Sequence, residues 1–283
     1  MNSLQFEKKQ FGYLCAILKC SPVALARILK IKDSLYSEWE EPKLDKITGK
    51  QKTFPDGTLK KRMIRPPKHD LKVIQRSINR NILSKIELVS NVHGGVKGKS
   101  NISNAKSHQG KKFILTTDLQ EFYPGIKSAR VYGFFLEQGY SNFMSSWLTK
   151  LTTWKNEIPQ GAPTSPLLAN LIFRNVDDSL LKLSSEHSLT YTRYVDDLTF
   201  SGPTDFRELI QTLLNVVQVD GFKINYRKTH YKGHQNITGI EVRNNYIDVP
   251  EKIKLKLKEE HEKGIENGPY KQYSDRVQAT NTK

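Results

Sequence analysis

Apolar residues along the first 90 positions recur at steps of three and four, a spacing that places them on one face of an α-helix. The pattern predicts helices over residues 11–40 and 70–88. Ser21-Pro22 is typical of a helix start, because serine caps free N–H groups and proline fits the first turn. Residues 41–65 between them are rich in lysine, glycine and threonine, which predicts a solvated basic hairpin.

From residue 113 onward, short apolar runs alternate with amphipathic stretches. Strands are predicted at 113–117, 189–202, 221–225 and 238–247, and helices at 127–155, 167–183 and 206–219. The run at 189–202 reads as a β-hairpin with a tight turn at Val195-Asp196-Asp197, and the strand before it ends at Asp118. Because the order lacks regular βαβ units, we predict an α+β fold.

Residues 91–110 are rich in glycine and lysine and are predicted to form a loop. Gly98-Lys99-Ser100 suggests a nucleoside-triphosphate loop, but Gly94 lies four positions before Gly98, where that motif needs five. The segment also follows a predicted helix rather than a strand. A basic loop that contacts a nucleic-acid backbone is the favoured interpretation.

The charge of the chain favours a polyanionic partner. The 283 residues include 45 lysines and arginines against 29 aspartates and glutamates, a net charge of +16. Nucleic acid is the commonest partner of so basic a chain, since each neutralised phosphate releases counterions. A merely basic protein or an anionic membrane surface are weaker alternatives. No apolar run approaches the ~20 residues of a membrane span, so we expect no membrane association and a cytoplasmic location.

Asp196 and Asp197 are the most informative residues of the sequence. Adjacent carboxylates repel each other unless a cation compensates them. Two Mg²⁺ ions, which prefer oxygen ligands, form the clamp for an in-line phosphoryl transfer. A third carboxylate from elsewhere in the chain is needed to hold both ions, and Asp118 at the end of its strand is the best candidate.

The same Val-Asp-Asp tripeptide also occurs at residues 176–178. There it falls within a predicted helix, where neighbouring side chains point about 100° apart. We therefore expect Asp177 and Asp178 to lie on a solvated surface and to bind no metal. Strand context and Asp118 distinguish the pair at 196–197 from this second copy.

Four segments, taken together and in order, resemble motifs of the reverse transcriptases. They cover roughly residues 60–245. Tyr194–Asp197 matches the Y-x-D-D box, and the others are Thr117–Tyr123 (the first aspartate motif), Pro159–Pro166 (P-Q-G-x-x-x-S-P) and Gly221–Thr229 (G-x-x-x-N-x-x-K-T). The resemblance implies a right-hand polymerase with fingers and a palm, whose antiparallel sheet is flanked by helices.

The resemblance also implies the roles of individual residues at the metal centre. Asp118 and Asp196 would bind both Mg²⁺ ions, for which Mn²⁺ is a possible substitute. The carbonyl of Leu119 would assist, and Asp197 would support the site. All three aspartates are thereby candidate catalytic residues.

Five further residues are implied to contact the incoming deoxynucleoside triphosphate. Tyr123 falls at the position that excludes a ribose 2′-OH, and Gln160 and Gly161 would line the nucleotide and the template strand. Lys228 would approach the triphosphate and protonate the leaving pyrophosphate. Arg62 resembles the fingers arginine over the triphosphate, a task that suits a planar guanidinium.

Two short elements narrow the resemblance to the bacterial retron reverse transcriptases. Residues 104–108 match N-A-x-x-H, and residues 237–239 stand where those enzymes carry V-T-G, with isoleucine in place of valine. These elements supply the candidate RNA-binding residues, which are Asn104, His108, Ile237, Thr238 and Gly239.

A retron-type enzyme implies a dedicated non-coding RNA that serves as both template and primer. A guanosine 2′-OH within it would start the cDNA and give a branched RNA–DNA product, in a phage-defence module with an associated effector protein. The open alternatives are another bacterial reverse transcriptase (intron-encoded, diversity-generating or primed on protein) and a non-catalytic RNA-binding protein on this scaffold.

We expect three parts along the chain. Residues 1–45 are predicted to form a helical N-terminal segment and residues 46–250 the fingers and palm. Residues 251–283, with a lysine-rich stretch from 252 to 263, are expected to begin a thumb that is short or incomplete.

Overall fold

The computed structural model describes residues 3–44, 49–54, 56–233 and 235–281. Its helices are α1 Ser3–Leu18, α2 Pro22–Ile31, α3 His69–Asn81, α4 Asn101–Lys106, α5 Phe122–Gly125, α6 Ser128–Glu137, α7 Asn142–Thr152, α8 Ser165–Ile172, α9 Arg174–Glu186, α10 Ile210–Val219, α11 Glu251–Glu262 and α12 Pro269–Gln278. Its strands are β1 Trp39–Pro42, β2 Lys61–Ile64, β3 Phe113–Gln120, β4 Thr190–Tyr194, β5 Asp197–Gly202, β6 Lys223–Ile224, β7 His230–Lys232, β8 Gln235–Ile237, β9 Ile240–Val242 and β10 Ile247–Asp248. Single 3₁₀ turns lie at Lys32–Leu35, Leu83–Lys85, Arg207–Leu209 and Tyr226–Lys228.

All strand pairs are antiparallel and alternate with helices, so the predicted α+β class is confirmed. The chain divides into two compact units. The first contains Met1–Lys43, Phe54–Leu88 and Glu121–Arg174, and the second contains Leu44–Thr53, Val89–Gln120 and Asn175–Lys283. The predicted part boundary at residues 45 and 46 lies outside the described residues. In the described part of the chain, no helix is long and apolar enough to cross a membrane.

The first unit is mainly helical, with α1, α3 and α7 packed on one another. Its core contains Leu14, Leu71, Ile78 and Leu148, which follow the helical spacing of the sequence. The predicted helix start at Ser21-Pro22 is confirmed, because the Ser21 side chain accepts a hydrogen bond from the N–H of Ala24.

A buried amide ties three parts of this unit together. Gln75 of α3 is fully buried, and its Nε2 donates to the Tyr36 hydroxyl and to the Leu151 carbonyl, both at 2.9 Å. The Tyr36 ring is stacked on Trp154 with 4.8 Å between ring centres. The Gln75 side chain therefore joins α3 to the segment after α2 and to the end of α7 inside an apolar core.

β1 and β2 form an exposed antiparallel pair in the same unit, with Trp39 opposite Ile64. They stand at the two ends of the segment predicted as a basic hairpin. Ion pairs join their exposed faces, Lys61 to Glu40 and Arg62 to Glu41. Such pairs contribute little to stability in water.

The second unit contains a five-stranded sheet in which β3 is the central strand. The order is β4-β5-β3-β6, and β7 pairs with β3 beside β6. The predicted hairpin at 189–202 is confirmed as β4 and β5. Leu115, Leu198 and Phe200 are fully buried, and Tyr191 stacks on Phe200 at 4.7 Å.

A second, three-stranded sheet of order β10-β9-β8 lies in the same unit. With α4, α11 and α12 it encloses an apolar cluster of buried side chains, among them Ile102, Ile237, Ile240 and Val277. Glu260 of α11 is buried and accepts the N–H groups of Tyr270 and Lys271 at the start of α12, at 3.1 and 3.0 Å. The lysine-rich stretch predicted as a thumb helix corresponds to α11, and its identity as a thumb stays a prediction.

Residues 91–110 are not a continuous loop, contrary to the prediction. They include the short helix α4, which begins with a capping box between Ser100 and Ser103. The segment was predicted as a loop because it is rich in glycine and lysine, although Ser100 and Ser103 are typical of a helix start. The Gly-Lys-Ser triplet directly precedes it.

We predict that Gln75→Leu lowers the free energy of unfolding by about 1–3 kcal/mol, because it leaves a buried hydroxyl and a buried carbonyl without a donor. Denaturant titration measures the change. Lys72→Leu, at an exposed position of the same helix, should change the value by no more than about 0.5 kcal/mol. Equal losses in both variants would contradict this role of Gln75.

Candidate metal and nucleotide site

Backbone pairing of β3, β4 and β5 brings three aspartates together. Asp118 of β3 lies opposite Asp197 of β5, and Asp196 occupies the turn between β4 and β5. The N–H of Leu119 donates to the Asp196 carbonyl at 2.9 Å, which fixes the turn against β3. Carboxylate oxygens of the three residues all lie within 4.8 Å of one another.

Asp118 is the most buried of the three and has two polar neighbours from one segment. Asn225 donates from Nδ2 to its Oδ1 at 3.2 Å, and the Lys228 ammonium lies 2.7 Å from its Oδ2. The N–H of Asn225 also donates to the Asp118 carbonyl at 2.8 Å. The three carboxylates supply oxygen donors, which is the donor set that suits a hard divalent cation.

Leu119 follows Asp118 in β3, is buried, and pairs with Ile224 of β6. Its position next to both Asp118 and Asp196 is compatible with the predicted use of its carbonyl as a metal ligand. That use stays a prediction.

Four of the predicted nucleotide-binding residues belong to the first compact unit. The Gln160 carbonyl accepts from the N–H of Arg65 at 2.7 Å, just beyond β2. Gly161 has φ of +102°, and a Cβ there would lie 3.3 Å from Ile64 Cγ2, so the close packing of this loop on β2 requires glycine. The P-Q-G loop is thus built onto the strand that carries Arg62.

The Arg62 side chain is exposed, and its Nε donates to Glu41 Oε2 at 2.6 Å. Tyr123 lies in α5, half-buried, with its ring 5.5 Å from that of Phe122. Lys228, the fifth predicted contact to the nucleotide, belongs to the second unit with the aspartates. The nucleotide roles of all five stay predictions.

Asp177 does not lie on the surface, contrary to the prediction. It is fully buried and paired with Arg193, which is also fully buried. Arg193 donates from Nε to Asp177 Oδ1 at 2.9 Å and from Nη2 to Oδ2 at 2.6 Å, and the Tyr191 hydroxyl donates to Oδ1 at 2.8 Å. Burial and the adjacent carboxylate raise the pKa of Tyr191 well above its ordinary value, so the hydroxyl stays a donor.

The sequence contains a signal for this buried network, although the prediction for Asp177 did not include it. Asp177 shares one face of α9 with Leu180 and Ser184, both buried. Arg193 shares its face of β4 with Tyr191, because alternate residues of a strand point the same way. An arginine at an inward position of a strand needs a buried acidic partner. Of Asp177 and Asp178, only Asp178 is exposed.

The candidate RNA-binding residues need a correction as well. Asn104, His108 and Ile237 are buried, so their side chains cannot contact RNA directly. His108 bonds Ser201 Oγ through Nδ1 at 2.6 Å and Thr192 Oγ1 through Nε2 at 2.7 Å, and so fastens the end of α4 to β4 and β5. The sequence motif marks an internal junction instead.

The two retron-like elements also meet each other. Asn104 Nδ2 lies 3.4 Å from Thr238 Oγ1, and Asn101 Nδ2 donates to the Thr238 carbonyl at 3.2 Å. Thr238 is half-buried and Gly239 is exposed, and both line a cleft of about 280 Å³ together with Asp118, Asp197 and Lys228. For these two residues, RNA contact stays a prediction.

The antiparallel sheet brings Asp118 of β3 beside Asp196 and Asp197 of the β4–β5 hairpin, as the predicted polymerase class requires. A family model described as reverse transcriptase (RNA-dependent DNA polymerase) matches residues 49–242, more than half of the chain. The chain belongs to the reverse transcriptase family, and the right-hand polymerase fold predicted from its motifs follows from this membership.

Several retron enzymes are among its relatives. The chain is 37% identical over 187 residues to the retron Ec86 reverse transcriptase of Escherichia coli, covering 64% of this chain and 58% of that protein. It is 34% identical over 204 residues to the retron Mx65 enzyme of Myxococcus xanthus, covering 64% and 48%. It is 31% identical over 235 residues to the retron Se72 enzyme of Salmonella heidelberg (strain 579083-10), covering 81% and 60%. These similarities confirm the predicted resemblance to retron reverse transcriptases, and the chain spans about half the length of these curated relatives.

Among solved structures, the chain is similar to a foamy viral protease-reverse transcriptase in complex with double-stranded DNA, with 16% identity and a TM-score of 0.44 over 81% of this chain and 34% of that one. It is also similar to telomerase from Candida albicans in complex with a fragment of telomeric RNA, with 12% identity and a TM-score of 0.46 over 68% and 45%.

We predict that the neutral His108 makes the stability depend on pH. Burial, with smaller effects of His93 and Lys111, lowers the pKa of His108 to about 3, whereas an unfolded chain has a value near 6.5. The unfolded state therefore binds more protons between these two values, so stability is complete above pH ~6.5 and falls as the pH is lowered. The slope is about 1.4 kcal/mol per pH unit, or about 2 kcal/mol between pH 6.5 and pH 5.

Denaturant titrations at pH 7, 6 and 5 measure this slope in the wild type and in His108→Gln. Glutamine keeps a donor and an acceptor for Ser201 and Thr192 but does not titrate, so the variant should lose less stability on acidification. Parallel slopes in the two proteins would contradict the assignment.

Proposed function

We propose that this chain is an RNA-directed DNA polymerase that copies part of a cognate structured non-coding RNA into cDNA. The observation that carries the proposal is the group of Asp118, Asp196 and Asp197, whose carboxylate oxygens lie within 4.8 Å in a chain of the reverse transcriptase family. The family implies a divalent metal, and the three carboxylates supply the donors for it. We take the metal to be a pair of Mg²⁺ ions, for which Mn²⁺ can substitute.

Asp118 and Asp196 would hold both ions, with Asp197 and the Leu119 carbonyl in support. When bound, the metal pair activates the attacking hydroxyl and stabilises the leaving pyrophosphate. Lys228 Nζ lies 2.7 Å from Asp118 Oδ2, and we assign to Lys228 the protonation of the leaving group. Its ammonium also offsets part of the repulsion that the carboxylates exert on a triphosphate.

In the first unit, Arg62 would bind the triphosphate of the incoming nucleotide. Its present partner Glu41 is exposed, as Arg62 is, so the pair costs little to exchange for phosphate oxygens. Gln160 and Gly161 would line the nucleotide and template, and Tyr123 would exclude a ribose 2′-OH. The substrates are then deoxynucleoside triphosphates.

The retron relatives support a finer proposal. The template and primer would be one structured RNA, with synthesis starting from a guanosine 2′-OH to give a branched RNA–DNA product, in a bacterial cytoplasmic phage-defence module with an effector protein. Residues 46–250 would form the fingers and palm, residues 1–45 a helical N-terminal segment, and residues 251–283 the beginning of the thumb.

The central test is removal of single carboxylates. Asp118→Asn, Asp196→Asn and Asp197→Asn should each lower nucleotide incorporation on a primed RNA template by about a thousandfold or more, because metal stabilisation of the transition state is worth several kcal/mol. The matched control is Asp178→Asn, the exposed aspartate of the other Val-Asp-Asp, which should keep wild-type incorporation. Incorporation by all three site variants would refute the proposal.

The retron type is tested by the nucleic acid that co-purifies with the protein. We expect a cDNA joined 2′–5′ to a short structured RNA, which debranching enzyme treatment and sequencing identify. A cDNA linked to protein, or one of random sequence, would favour another bacterial reverse transcriptase. RNA binding that metal chelation does not change, without any cDNA, would favour a non-catalytic RNA-binding protein.

A further inference from the structure

The turn that carries the metal-binding aspartates contains an unfavourable backbone conformation. Val195, directly before Asp196, has φ of +60°. A β-branched side chain rarely adopts the left-handed region, because its Cβ substituents clash with the backbone. Such a residue persists only where surrounding contacts hold it.

Arg193 supplies one of these contacts from inside the sheet. Its Nη1 donates to the Val195 carbonyl at 2.9 Å, while Nε and Nη2 hold both oxygens of Asp177. Both charged side chains are fully buried. The planar guanidinium fork can bind the carboxylate and the carbonyl only in one orientation, so α9 fixes the position of the Val195 carbonyl.

The segment before α4 supplies a second contact from another side. Asn91 and His93 exchange backbone hydrogen bonds with Arg193, at 3.0 and 2.8 Å. A Cβ on Gly94 would lie 2.3 Å from Val195 N and 2.8 Å from the Tyr194 carbonyl carbon. Only glycine allows this approach, so the backbone of residues 91–94 packs directly on the strained turn.

We propose that Asp177 and Arg193 are positioning residues, which act through the Val195 carbonyl to hold Asp196 and Asp197 at the distance from Asp118 that metal binding needs. This inference rests on the proposed function and adds to it the device that sets the site's geometry. Without the guanidinium, the Val195 backbone can relax to φ below zero, and the turn moves with it. A metal site tolerates shifts of only about 0.5 Å.

The test removes the ion pair without leaving a charge buried. The triple variant Asp177→Leu, Tyr191→Phe and Arg193→Met replaces the network with apolar groups of similar volume, an exchange that proteins often tolerate. Mn²⁺ binding is measured by the relaxation rate of water protons, which needs no catalysis. We expect the dissociation constant for Mn²⁺ to rise by about 10- to 100-fold, the effect typical of losing an outer contact of a metal ligand.

Arg193→Lys is the second variant, in case the triple variant does not fold. Lysine keeps the charge opposite Asp177 but lacks the fork that reaches the Val195 carbonyl, so Mn²⁺ affinity should fall here too. Gly94→Ala should lower the affinity independently, since it displaces the turn from the other side.

The control for general destabilisation is Glu260→Gln. Glu260 is buried in the same unit, but it caps α12 rather than contacting the turn, so its loss should lower thermal stability and leave Mn²⁺ affinity unchanged. The positioning role would be overturned if folded Arg193→Lys and Gly94→Ala both bound Mn²⁺ with wild-type affinity. This conclusion requires that Asp118→Asn abolishes Mn²⁺ binding in the same assay. A wild-type protein that bound no Mn²⁺ would instead count against the proposed function itself.

Discussion

Repulsion among three carboxylates is the constraint on which the second unit of the chain depends. Asp118, Asp196 and Asp197 bring oxygens within 4.8 Å of one another, an arrangement that would separate if the backbone could yield. The ladder between β3 and β5 prevents this separation, because the register sets Asp118 opposite Asp197. The hydrogen bond from Leu119 to the Asp196 carbonyl closes the turn onto the same strand. The sheet supplies the rigidity, and Lys228 supplies part of the compensating charge.

The two Val-Asp-Asp tripeptides have different environments in this protein, and the difference follows from the residues that each one contacts. The copy at 195–197 lies at a strand turn, where its carboxylates converge with Asp118. In the copy at 176–178, the helix directs Asp177 inward to Arg193 and leaves Asp178 exposed. A buried charge pair costs desolvation that its attraction barely repays, so stability alone gives little reason to keep one. The hydrogen bond from Arg193 to the Val195 carbonyl gives a different reason for the buried pair, since it connects Asp177 through Arg193 to the turn at 195–197.

Sequence patterns predicted the parts of this protein that depend on local order. The hairpin at 189–202, the strand that carries Asp118 and the helix start at Ser21 all follow from neighbouring residues, although that strand continues past Asp118 to Gln120. The burial of Asp177 could not be predicted in the same way, because its partner lies 16 positions away on another element. The helix α4 was missed since its capping serines stand in a glycine-rich background. Gly94 was noted for its spacing, but its requirement for glycine arises from Val195, a hundred residues further along the chain.

The retron-like motifs show how a sequence signature can differ from a contact surface. His108 fastens α4 to β4 and β5, and Asn104 joins the same helix to the turn between β8 and β9. One short helix thereby connects the hairpin that carries Asp196 and Asp197 with Thr238 and Gly239, and both ends of the connection line one cleft. Asn104 and His108 therefore act inside the fold, because their hydrogen bonds hold the hairpin and the turn between β8 and β9 on the two sides of one short helix.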